Sequence, residues 1–284
     1  ETIRLGRKRL EGRRLLPHEF FLDLLLERLI RQKIQARLGG KLKYFISGGA
    51  ALNPEIGSFF MALGVKLLQG YGQTEASPVI SANRPGKIKI ETVGPPVAGV
   101  EVRFADDGEI LVRGDLLMKG YWRDDHSTAA TIRDGWLYTG DIGTCDDDGY
   151  ITITGRKKEI IVNSGGENIV PSRVEALLTI EPEIEQALVD GDRRPWLAAV
   201  IVPSADARAA AASDEALKLL IAETVERANS RLSQIERVRR FIIADEGFTT
   251  ENSQLTATLK VRRHVVRAQY QDRLAALYTR GKED

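Results

Sequence analysis

The sequence has few of the residue types on which most metal and redox sites depend. Among its 284 residues there are one cysteine, three histidines and two methionines. Cys145 has no second cysteine for an intramolecular disulfide, which is typical of a reducing compartment, so we expect a cytoplasmic protein. His18, His126 and His264 are far apart in the chain, and no Cys/His spacing indicates a zinc site.

Long apolar runs and a strong charge of one sign are also absent. Hydrophobic residues make up 43% of the chain, which is enough for a substantial core divided over more than one domain. No run reaches the roughly 18 apolar residues of a membrane-spanning helix. The formal net charge of +1 indicates no polyanionic partner for the chain as a whole.

Against these absences, the five residues from Tyr71 to Glu75 combine groups that suit a nucleotide site. The ring of Tyr71 can lie against a purine, and the hydroxyl of Thr74 can bind a phosphate oxygen. The carboxylate of Glu75 can hold the Mg²⁺ that accompanies a triphosphate. Gly72 and Gln73 add flexible backbone and an amide. The stretch therefore predicts a site for ATP or AMP.

Secondary-structure signals place this stretch at the end of a strand. A buried strand is predicted at 43–47, ending at Gly48 and Gly49, and a helix over 54–63 leads to a second strand at 65–68. Because a helix connects the two strands, we expect them to be parallel neighbours with a right-handed crossover. Ligands bind at the carboxyl ends of such strands, where the loops that follow both strands emerge.

Seven short segments, in a fixed order, carry the most specific signal in the chain. They are Ser-Gly-Gly-Ala-Ala-Leu at 47–52, Tyr-Gly-Gln-Thr-Glu at 71–75, Gly-Glu-Ile-Leu-Val-Arg-Gly at 108–114, Tyr-Thr-Gly-Asp at 138–141, Gly-Arg-Lys-Lys-Glu at 155–159, Ser-Gly-Gly-Glu-Asn at 164–168 and Leu-Thr-Ala-Thr-Leu-Lys at 255–260. With these segments the chain resembles the adenylate-forming enzymes and, within them, the long-chain fatty-acid CoA ligases. The resemblance covers roughly residues 38 to 265.

This resemblance implies an α/β fold with α+β elements. Residues 1–155 would form the C-terminal part of a large AMP-binding domain, made of a piece of parallel sheet and a small β subdomain from about residue 94. Residues 156–284 would form a compact, mobile α/β lid domain with a hinge at 156–158.

Hydropathy and turn residues predict further elements in both domains. In the first domain, a loop is expected over 77–96, followed by hairpins over 100–113 and 136–154. In the lid, strands are predicted at 160–162, 186–189, 196–202 and 238–243, helices at 171–178, 214–232 and 261–278, and surface structure at 205–212.

The resemblance assigns ligand contacts along both domains. The nucleotide-binding residues would be Gly48, Gly49, Ala50, Tyr71, Gly72, Gln73, Thr74, Asp141 and Arg156. Asp141 follows Thr139 and Gly140, whose flexible backbone can let a ligand approach, and a carboxylate can accept hydrogen bonds from both ribose hydroxyls. Arg156 would contact ribose and phosphate. For Asp141 and for Arg156, an ordinary turn is the alternative interpretation.

The lid would contribute a hinge and a channel. Lys158 occupies the pivot position of the family, and Gly165 and Gly166 would flank the pantetheine channel of CoA, with a plain tight turn as the alternative. Glu167 stands where some short-chain relatives have a basic residue, so we assign it no phosphate contact.

Lys260 is the residue that the resemblance implies for catalysis, together with Thr74 and Glu75. It follows a helix cap expected at 256–258, near the amino end of the last predicted helix, where a cation is disfavoured by about 0.3–1 kcal/mol. Its ammonium group can stabilise the negative charge that spreads over the phosphate oxygens during adenylation. We interpret Arg262 and Arg263 as ordinary charges on the helix surface.

The implied reaction joins a fatty acid to CoA in two steps that share one nucleotide site. Fatty acid and MgATP give acyl-AMP and pyrophosphate, and the CoA thiol then displaces AMP. Two alternatives stay open: an acyl-AMP or acyl-carrier-protein ligase with a different acceptor, and a non-catalytic module that binds AMP or a partner. The family's Ser/Thr/Gly-rich phosphate loop does not occur, so we expect a fragment that does not complete adenylation alone.

Residues 1–43 contain twelve Lys and Arg against five Asp and Glu. A basic face can attract anionic lipid and bring the enzyme to the inner membrane surface as a peripheral protein. Aromatic residues are few, with only Phe20 and Phe21, so we expect no nucleic acid. In the alternative interpretation the charges form a solvated helix face, and the apolar residues near 20–26 pack on the rest of the large domain.

Overall fold

The polypeptide divides into two units, Glu1–Thr154 and Gly155–Asp284, in a computed structural model that describes residues 1–10, 12–50 and 52–279. Ala51, which belongs to the first of the seven segments, lies outside the described residues. Parallel and antiparallel strand pairs and helices occur in both units. This architecture confirms the predicted α/β class with α+β elements.

Ion pairs between basic and acidic side chains join the first helices. α1 (Thr2–Leu10) and α2 (Pro17–Leu26) are followed by a π-helical turn (Glu27–Arg31) and by α3 (Gln32–Arg37). Two acids of α2, Glu19 and Asp23, are buried. The basic residues that pair with these two acids are Arg4, Lys8, Arg9 and Arg31. Among the described helices, none combines the length and the apolar character needed to span a bilayer.

The parallel strand pair predicted beside the 71–75 stretch is confirmed. β1 (Phe45–Ser47) pairs in parallel with β2 (Leu67–Gly72), and α4 (Pro54–Ala62) connects them. At the start of α4, the Asn53 side chain accepts a 2.8 Å hydrogen bond from the Glu55 amide. The expectation that the first strand is buried is wrong: Ile46 is 79% exposed, because β1 is an edge strand of its sheet.

The loop predicted over 77–96 contains a strand. β3 (Val79–Ala82) pairs antiparallel with β2 and completes a three-stranded sheet. Its apolar run is too short to show a period, and the backbone of β2 supplies its partners. The prediction of an uninterrupted loop is therefore wrong.

The two hairpins predicted for the first unit lie in one five-stranded sheet. β4 (Glu101–Phe104) and β5 (Glu109–Arg113) pair antiparallel, and the turn between them uses a left-handed conformation at Gly108. The later elements are α5 (Asp125–Thr131), β6 (Ile132–Arg133), β7 (Trp136–Cys145) and β8 (Ile151–Arg156), with β7 between β5 and β6 and β8 paired to β7. The core of this sheet includes Ala76 and Ile80, so it fixes the backbone directly after Glu75.

The second unit is organised around one buried strand. Its elements are β9 (Ile161–Val162), β10 (Asn168–Ile169), α6 (Pro171–Leu178), β11 (Ile184–Asp190), β12 (Leu197–Pro203), α7 (Ala205–Ala210), α8 (Asp214–Asn229), β13 (Val238–Ile243), α9 (Arg263–Gln269) and α10 (Gln271–Thr279). β12 pairs antiparallel with β11 and parallel with β13. Its alternate residues enter two hydrophobic clusters, one containing Leu197 and Ala199 and the other Ala198 and Val200. Both faces of the sheet are therefore covered.

The last helix differs from the prediction, which placed one continuous helix over 261–278. It begins at Arg263, because the preceding residues form a turn closed by a bridge between Leu255 and Val261. It is interrupted at Tyr270, which is 1% exposed and whose hydroxyl oxygen accepts a 3.2 Å hydrogen bond from the Asp245 amide. The tertiary contacts of this ring coincide with the break.

Candidate functional site

The side chains of Tyr71 and Asp141 meet in the first unit. The Tyr71 hydroxyl donates a 2.6 Å hydrogen bond to Asp141 Oδ2. Tyr71 lies near the end of β2, and Asp141 lies within β7, where it is only 4% exposed. The structure therefore brings together two residues that the sequence analysis assigned separately to one nucleotide site. A phenol that donates to a carboxylate stabilises the ionised carboxylate and fixes its orientation.

A buried acid holds the β7 backbone beside Asp141, where the pairing with β5 is irregular. Glu109 is 6% exposed, and its Oε1 accepts a 2.9 Å hydrogen bond from the Gly140 amide. Gly140 has a φ of +71°, a conformation that favours glycine. The Thr139 hydroxyl donates to Ile110 O at 2.7 Å and ties the same part of β7 to β5. Sequence analysis missed Glu109; its signal was a carboxylate at the start of an otherwise apolar strand.

Glu75 is held at both its backbone and its side chain. The Met118 amide donates to Glu75 O at 2.8 Å, and the Tyr121 hydroxyl donates to Glu75 Oε1 at 2.7 Å. The hydrogen bond to Glu75 raises the pKa of Tyr121 above its usual value, and burial adds to that shift. Sequence analysis missed Tyr121, because nothing in the local sequence indicates a contact with Glu75.

The remaining residues of the 71–75 stretch form a tight, partly exposed turn. At Gly72 a Cβ atom would lie 1.7 Å from Pro78 O, so only glycine fits there. Gln73 has a buried side-chain nitrogen without a hydrogen-bond partner among the described residues. Thr74 starts a 3-10 turn that ends at Ala76, and its side chain is exposed. A ligand at this turn can therefore meet the exposed hydroxyl of Thr74.

The loop after β1 lies beside the last residues of β2. A Cβ atom at Gly48 would lie 3.5 Å from Gly70 O, which shows how closely the two backbones approach. Gly49 has a φ of +80°, and Gly48, Gly49 and Ala50 are exposed. This backbone is accessible to a ligand, and the nucleotide-binding role of Gly48, Gly49 and Ala50 stays a prediction.

In the second unit, one asparagine organises the glycine loop. Asn163 Oδ1 accepts hydrogen bonds from the Gly165 amide at 2.9 Å and from the Glu167 amide at 3.0 Å. Gly166 adopts a left-handed conformation with a φ of +82°. Asn163 Nδ2 also donates to Glu167 Oε2 at 3.0 Å. The Glu167 carboxylate is thus engaged within the loop.

A cavity of about 320 Å³ opens beside this loop. Its lining includes Gly165, Trp196, Arg237 and Arg239. The two arginines flank Val238, which is buried, so strand alternation places both on the same side of β13. A pocket with a glycine backbone, an indole and two guanidinium groups suits a ligand that carries phosphate groups.

Arg156 and Lys158 lie in the exposed connection between β8 and β9. Arg156 is the last residue of β8, and its backbone carbonyl accepts a 2.9 Å hydrogen bond from the Glu159 amide to close a turn. Lys158 is exposed within that turn. The turn fits the predicted hinge position, and both the hinge and the ribose contact of Arg156 stay predictions.

Lys260 closes a separate turn ahead of α9. Its amide donates to Thr256 Oγ1 at 3.0 Å, and its carbonyl accepts from the Thr256 amide at 2.8 Å. Leu259 has a φ of +60°, so this turn is strained. The predicted helix cap is wrong: Thr256 stabilises the turn, and Lys260 precedes the helix by three residues. The side chain is exposed and carried on a tightly defined loop.

Arg263 is not the ordinary surface charge that the sequence analysis expected. Its Nη1 donates to Glu175 Oε1 at 2.7 Å, its Nη2 also contacts the Glu175 carboxylate, and its Nε donates to Glu159 Oε2 at 3.1 Å. The expectation is wrong because the acids that bind it lie 88 and 104 residues away in sequence. One guanidinium therefore ties the start of α9 to α6 and to the turn that contains Lys158.

Comparison with known proteins gives matches over both units. A family model described as AMP-binding enzyme matches residues 19–122, and one described as AMP-binding enzyme C-terminal domain matches residues 158–282. The long-chain-fatty-acid–CoA ligase FadD15 of Mycobacterium tuberculosis is 40% identical over 271 residues, which are 90% of this chain and 45% of that protein.

Two further matches extend the comparison. A long-chain-fatty-acid–[acyl-carrier-protein] ligase of Arabidopsis thaliana chloroplasts, AEE15, is 34% identical over 283 residues, covering 91% of this chain and 38% of that protein. The A domain of a carboxylic acid reductase from Segniliparus rugosus, solved with AMP and a carboxylic acid, matches with a TM-score of 0.76 and 27% identity over 98% of this chain and 45% of that one. The chain thus spans about half the length of these proteins, or less.

Proposed function

Because the chain belongs to the AMP-binding enzyme family, we propose that it is part of an ATP-dependent ligase that joins a fatty acid to CoA through an acyl-AMP intermediate. The hydrogen bond between Tyr71 and Asp141 carries this proposal, because it places an aromatic ring and an oriented carboxylate at one point. The ring can lie against adenine, and the carboxylate can accept hydrogen bonds from the ribose hydroxyls.

The donor set around Glu75 fits the magnesium of MgATP. Within the described residues, no group of three or more His, Cys, Asp or Glu side chains could hold a metal ion alone. Mg²⁺ in nucleotide sites is bound by one or two carboxylates, with phosphate oxygens and water as the other ligands. Glu75 would supply the carboxylate, and the bound ion would neutralise charge on the phosphates. Thr74 would donate its hydroxyl to a phosphate oxygen.

Lys260 would act in the first of two steps. An oxygen of the fatty-acid carboxylate attacks the α-phosphorus, the bond to pyrophosphate breaks, and negative charge grows on the phosphate oxygens. The exposed ammonium group of Lys260 would stabilise that charge. In the second step the CoA thiol, after losing its proton, attacks the acyl carbonyl and AMP leaves. The two steps need different groups near the same phosphate, so we propose that the lid rotates about Lys158 between them.

We assign CoA to the second unit. Asn163 holds the backbone of Gly165 and Gly166, and the narrow pantetheine arm of CoA would pass along this backbone. In the adjacent cavity, Arg237 and Arg239 would bind the phosphate groups of CoA. The relatives include both a CoA ligase and an acyl-carrier-protein ligase, which keeps the second acceptor as the alternative.

The full-length protein tests this function directly. Exchange of labelled pyrophosphate into ATP, dependent on added fatty acid, is expected for both acceptors. Thioester formation with CoA and none with acyl-carrier protein would support the CoA ligase, and the opposite result would favour the alternative. Two negative results together would overturn the adenylation proposal: no pyrophosphate exchange that depends on fatty acid, and no binding of AMP or ATP in calorimetry. They would leave a non-catalytic module.

We further propose that the protein is cytoplasmic and that α2 brings it to the inner membrane surface. Phe20, Phe21, Leu24 and Leu25 are each more than half exposed. The acids of α2 lie on its buried side and are paired with basic residues, so neither acid lies on the exposed apolar face. Residues 1–43 as a whole contain twelve Lys and Arg against five Asp and Glu. An apolar face within a basic surface favours anionic lipid.

Flotation of the full-length protein with vesicles tests this surface. We expect binding to vesicles that contain anionic lipid and loss of binding when Phe20 and Phe21 are both replaced by serine. Leu219→Ser, at a residue that is 67% exposed on α8, is the matched control and should bind normally. Unchanged binding of the double variant, or a large loss of its stability, would indicate that the rest of the protein covers this face.

A further inference from the structure

Tyr121 lies outside the seven segments and holds the proposed metal-binding carboxylate. Its hydroxyl donates a 2.7 Å hydrogen bond to Glu75 Oε1, across 46 residues of sequence. Three residues earlier, the Met118 amide donates to the Glu75 carbonyl at 2.8 Å. Residues 118–121 therefore fix the Glu75 backbone and orient its side chain.

Tyr121 is itself fixed by the start of α5. Its amide donates to Thr128 Oγ1 at 2.9 Å, and the Thr128 hydroxyl in turn donates to Asp124 O at 2.8 Å. Gly120 packs against Thr128 so closely that a Cβ atom there would lie 2.9 Å from the threonine methyl group. The aromatic side chain thus starts from a defined backbone, which a positioning role requires.

The hydrogen bond engages one carboxylate oxygen and leaves the other for a cation. Among the described residues, Glu75 Oε2 forms no hydrogen bond or ion pair, and Glu75 belongs to no group of three or more His, Cys, Asp or Glu side chains that could hold a metal ion. A lone carboxylate that binds Mg²⁺ depends strongly on its orientation. Removing a hydrogen-bond partner of a metal ligand typically costs about 10–100-fold in metal affinity or activity.

We propose that Tyr121 is a positioning residue that orients Glu75 toward the Mg²⁺ of MgATP. This inference rests on the proposed function, because it takes the role of Glu75 from there. The hydroxyl acts through Glu75 and does not itself bind the nucleotide.

The experiment measures ATP binding by the full-length protein in calorimetry as Mg²⁺ is varied. Tyr121→Phe should raise the Mg²⁺ concentration at half-maximal enhancement of ATP binding by about 10-fold. Its ATP affinity in the presence of EDTA should be unchanged. Tyr150→Phe is the matched control, since the Tyr150 hydroxyl donates to Lys87 O at 2.9 Å in the same unit, and it should behave as the wild type. Glu75→Gln serves as the reference for the loss of the proposed metal-binding carboxylate itself.

The possible outcomes distinguish failure of the inference about Tyr121 from failure of the proposed function. If Glu75→Gln shifts the Mg²⁺ dependence and Tyr121→Phe does not, the inference is overturned and the proposed function stands. If Glu75→Gln leaves the Mg²⁺ dependence unchanged, the metal assignment fails, and the inference fails with it. In the double variant, the effect of Tyr121→Phe should disappear. A persistent effect, or a fall in ATP affinity that is the same with EDTA, would show that the tyrosine acts through the fold.

Discussion

The hydroxyl of Tyr71 donates a 2.6 Å hydrogen bond to the carboxylate of Asp141, although 70 residues separate them in the chain. This contact joins the end of a parallel strand pair to the middle of an antiparallel sheet. It places at one point the two groups that we assign to adenine and ribose.

Tyr71→Phe separates the role of the ring from that of the hydroxyl. The phenylalanine keeps the aromatic surface but leaves Asp141 less firmly oriented, so we expect AMP affinity to fall about tenfold, the usual order for one hydrogen bond. Tyr71→Ala should cost more, because it also removes the stacking surface. Titration calorimetry with AMP measures both. Equal affinities of the wild type and Tyr71→Ala would contradict the assignment of Tyr71 to the nucleotide.

Lys260→Ala tests which half-reaction needs the ammonium group. In the full-length protein we expect adenylation, followed as pyrophosphate release, to fall by about 100-fold or more, the order seen when one charge-stabilising donor is removed. Conversion of preformed acyl-AMP to the thioester should continue. Lys218→Ala is the control, because Lys218 is an exposed lysine on α8. Equal loss of both half-reactions would contradict the role proposed for Lys260.

Arg263 should contribute to the stability of the second unit. Arg263→Ala leaves the buried part of the Glu175 carboxylate without its bidentate partner, and we expect a loss of about 3 kcal/mol in the free energy of unfolding. Chemical denaturation measures the loss. Arg262→Ala is the matched control, since Arg262 makes a single exposed 3.3 Å side-chain hydrogen bond to Ser253 O and should cost far less. Additive effects of Arg263→Ala and Glu175→Gln would contradict a direct interaction between them.

Glu19 should make the stability of the helical region depend on acid pH. Hydrogen bonds from Lys8 and Arg4 lower the pKa of Glu19 from 4.5 to about 2. Because the folded-state pKa is the lower one, the ionised carboxylate stabilises the folded chain above pH 4.5, and this contribution is lost as the pH falls toward 2.

Glu19→Gln isolates that contribution. We expect the variant to be less stable than the wild type at pH 7 and the difference to shrink steadily as the pH falls toward 2, measured by denaturant unfolding at each pH. A difference that stays constant over this range would mean that Glu19 acts through packing and not through its charge.

Local patterns predicted many of the elements. The helix at 171–178 and the strand at 238–243 begin and end as expected, because Pro171 starts the first, and the apolar residues Val238 and Ile243 bound the second. β3 was missed because it is a strand only by virtue of the β2 backbone beside it. The helix predicted over 261–278 starts later and is interrupted at Tyr270. The prediction missed both features because the turn at Lys260 and the burial of Tyr270 depend on contacts that the local apolar pattern does not show.

The sequence by itself determined the fold class and the family, because those signals are carried by short runs of adjacent residues. The binding roles of the residues in these runs stay predictions. Only the tertiary structure decided that Tyr121 holds Glu75, that Glu109 holds the β7 backbone beside Asp141 and that Arg263 joins α9 to Glu159 and Glu175. Each of these is a contact between side chains or backbone groups that folding brings together from distant parts of the chain. No local pattern of charge or hydropathy specifies such a partner.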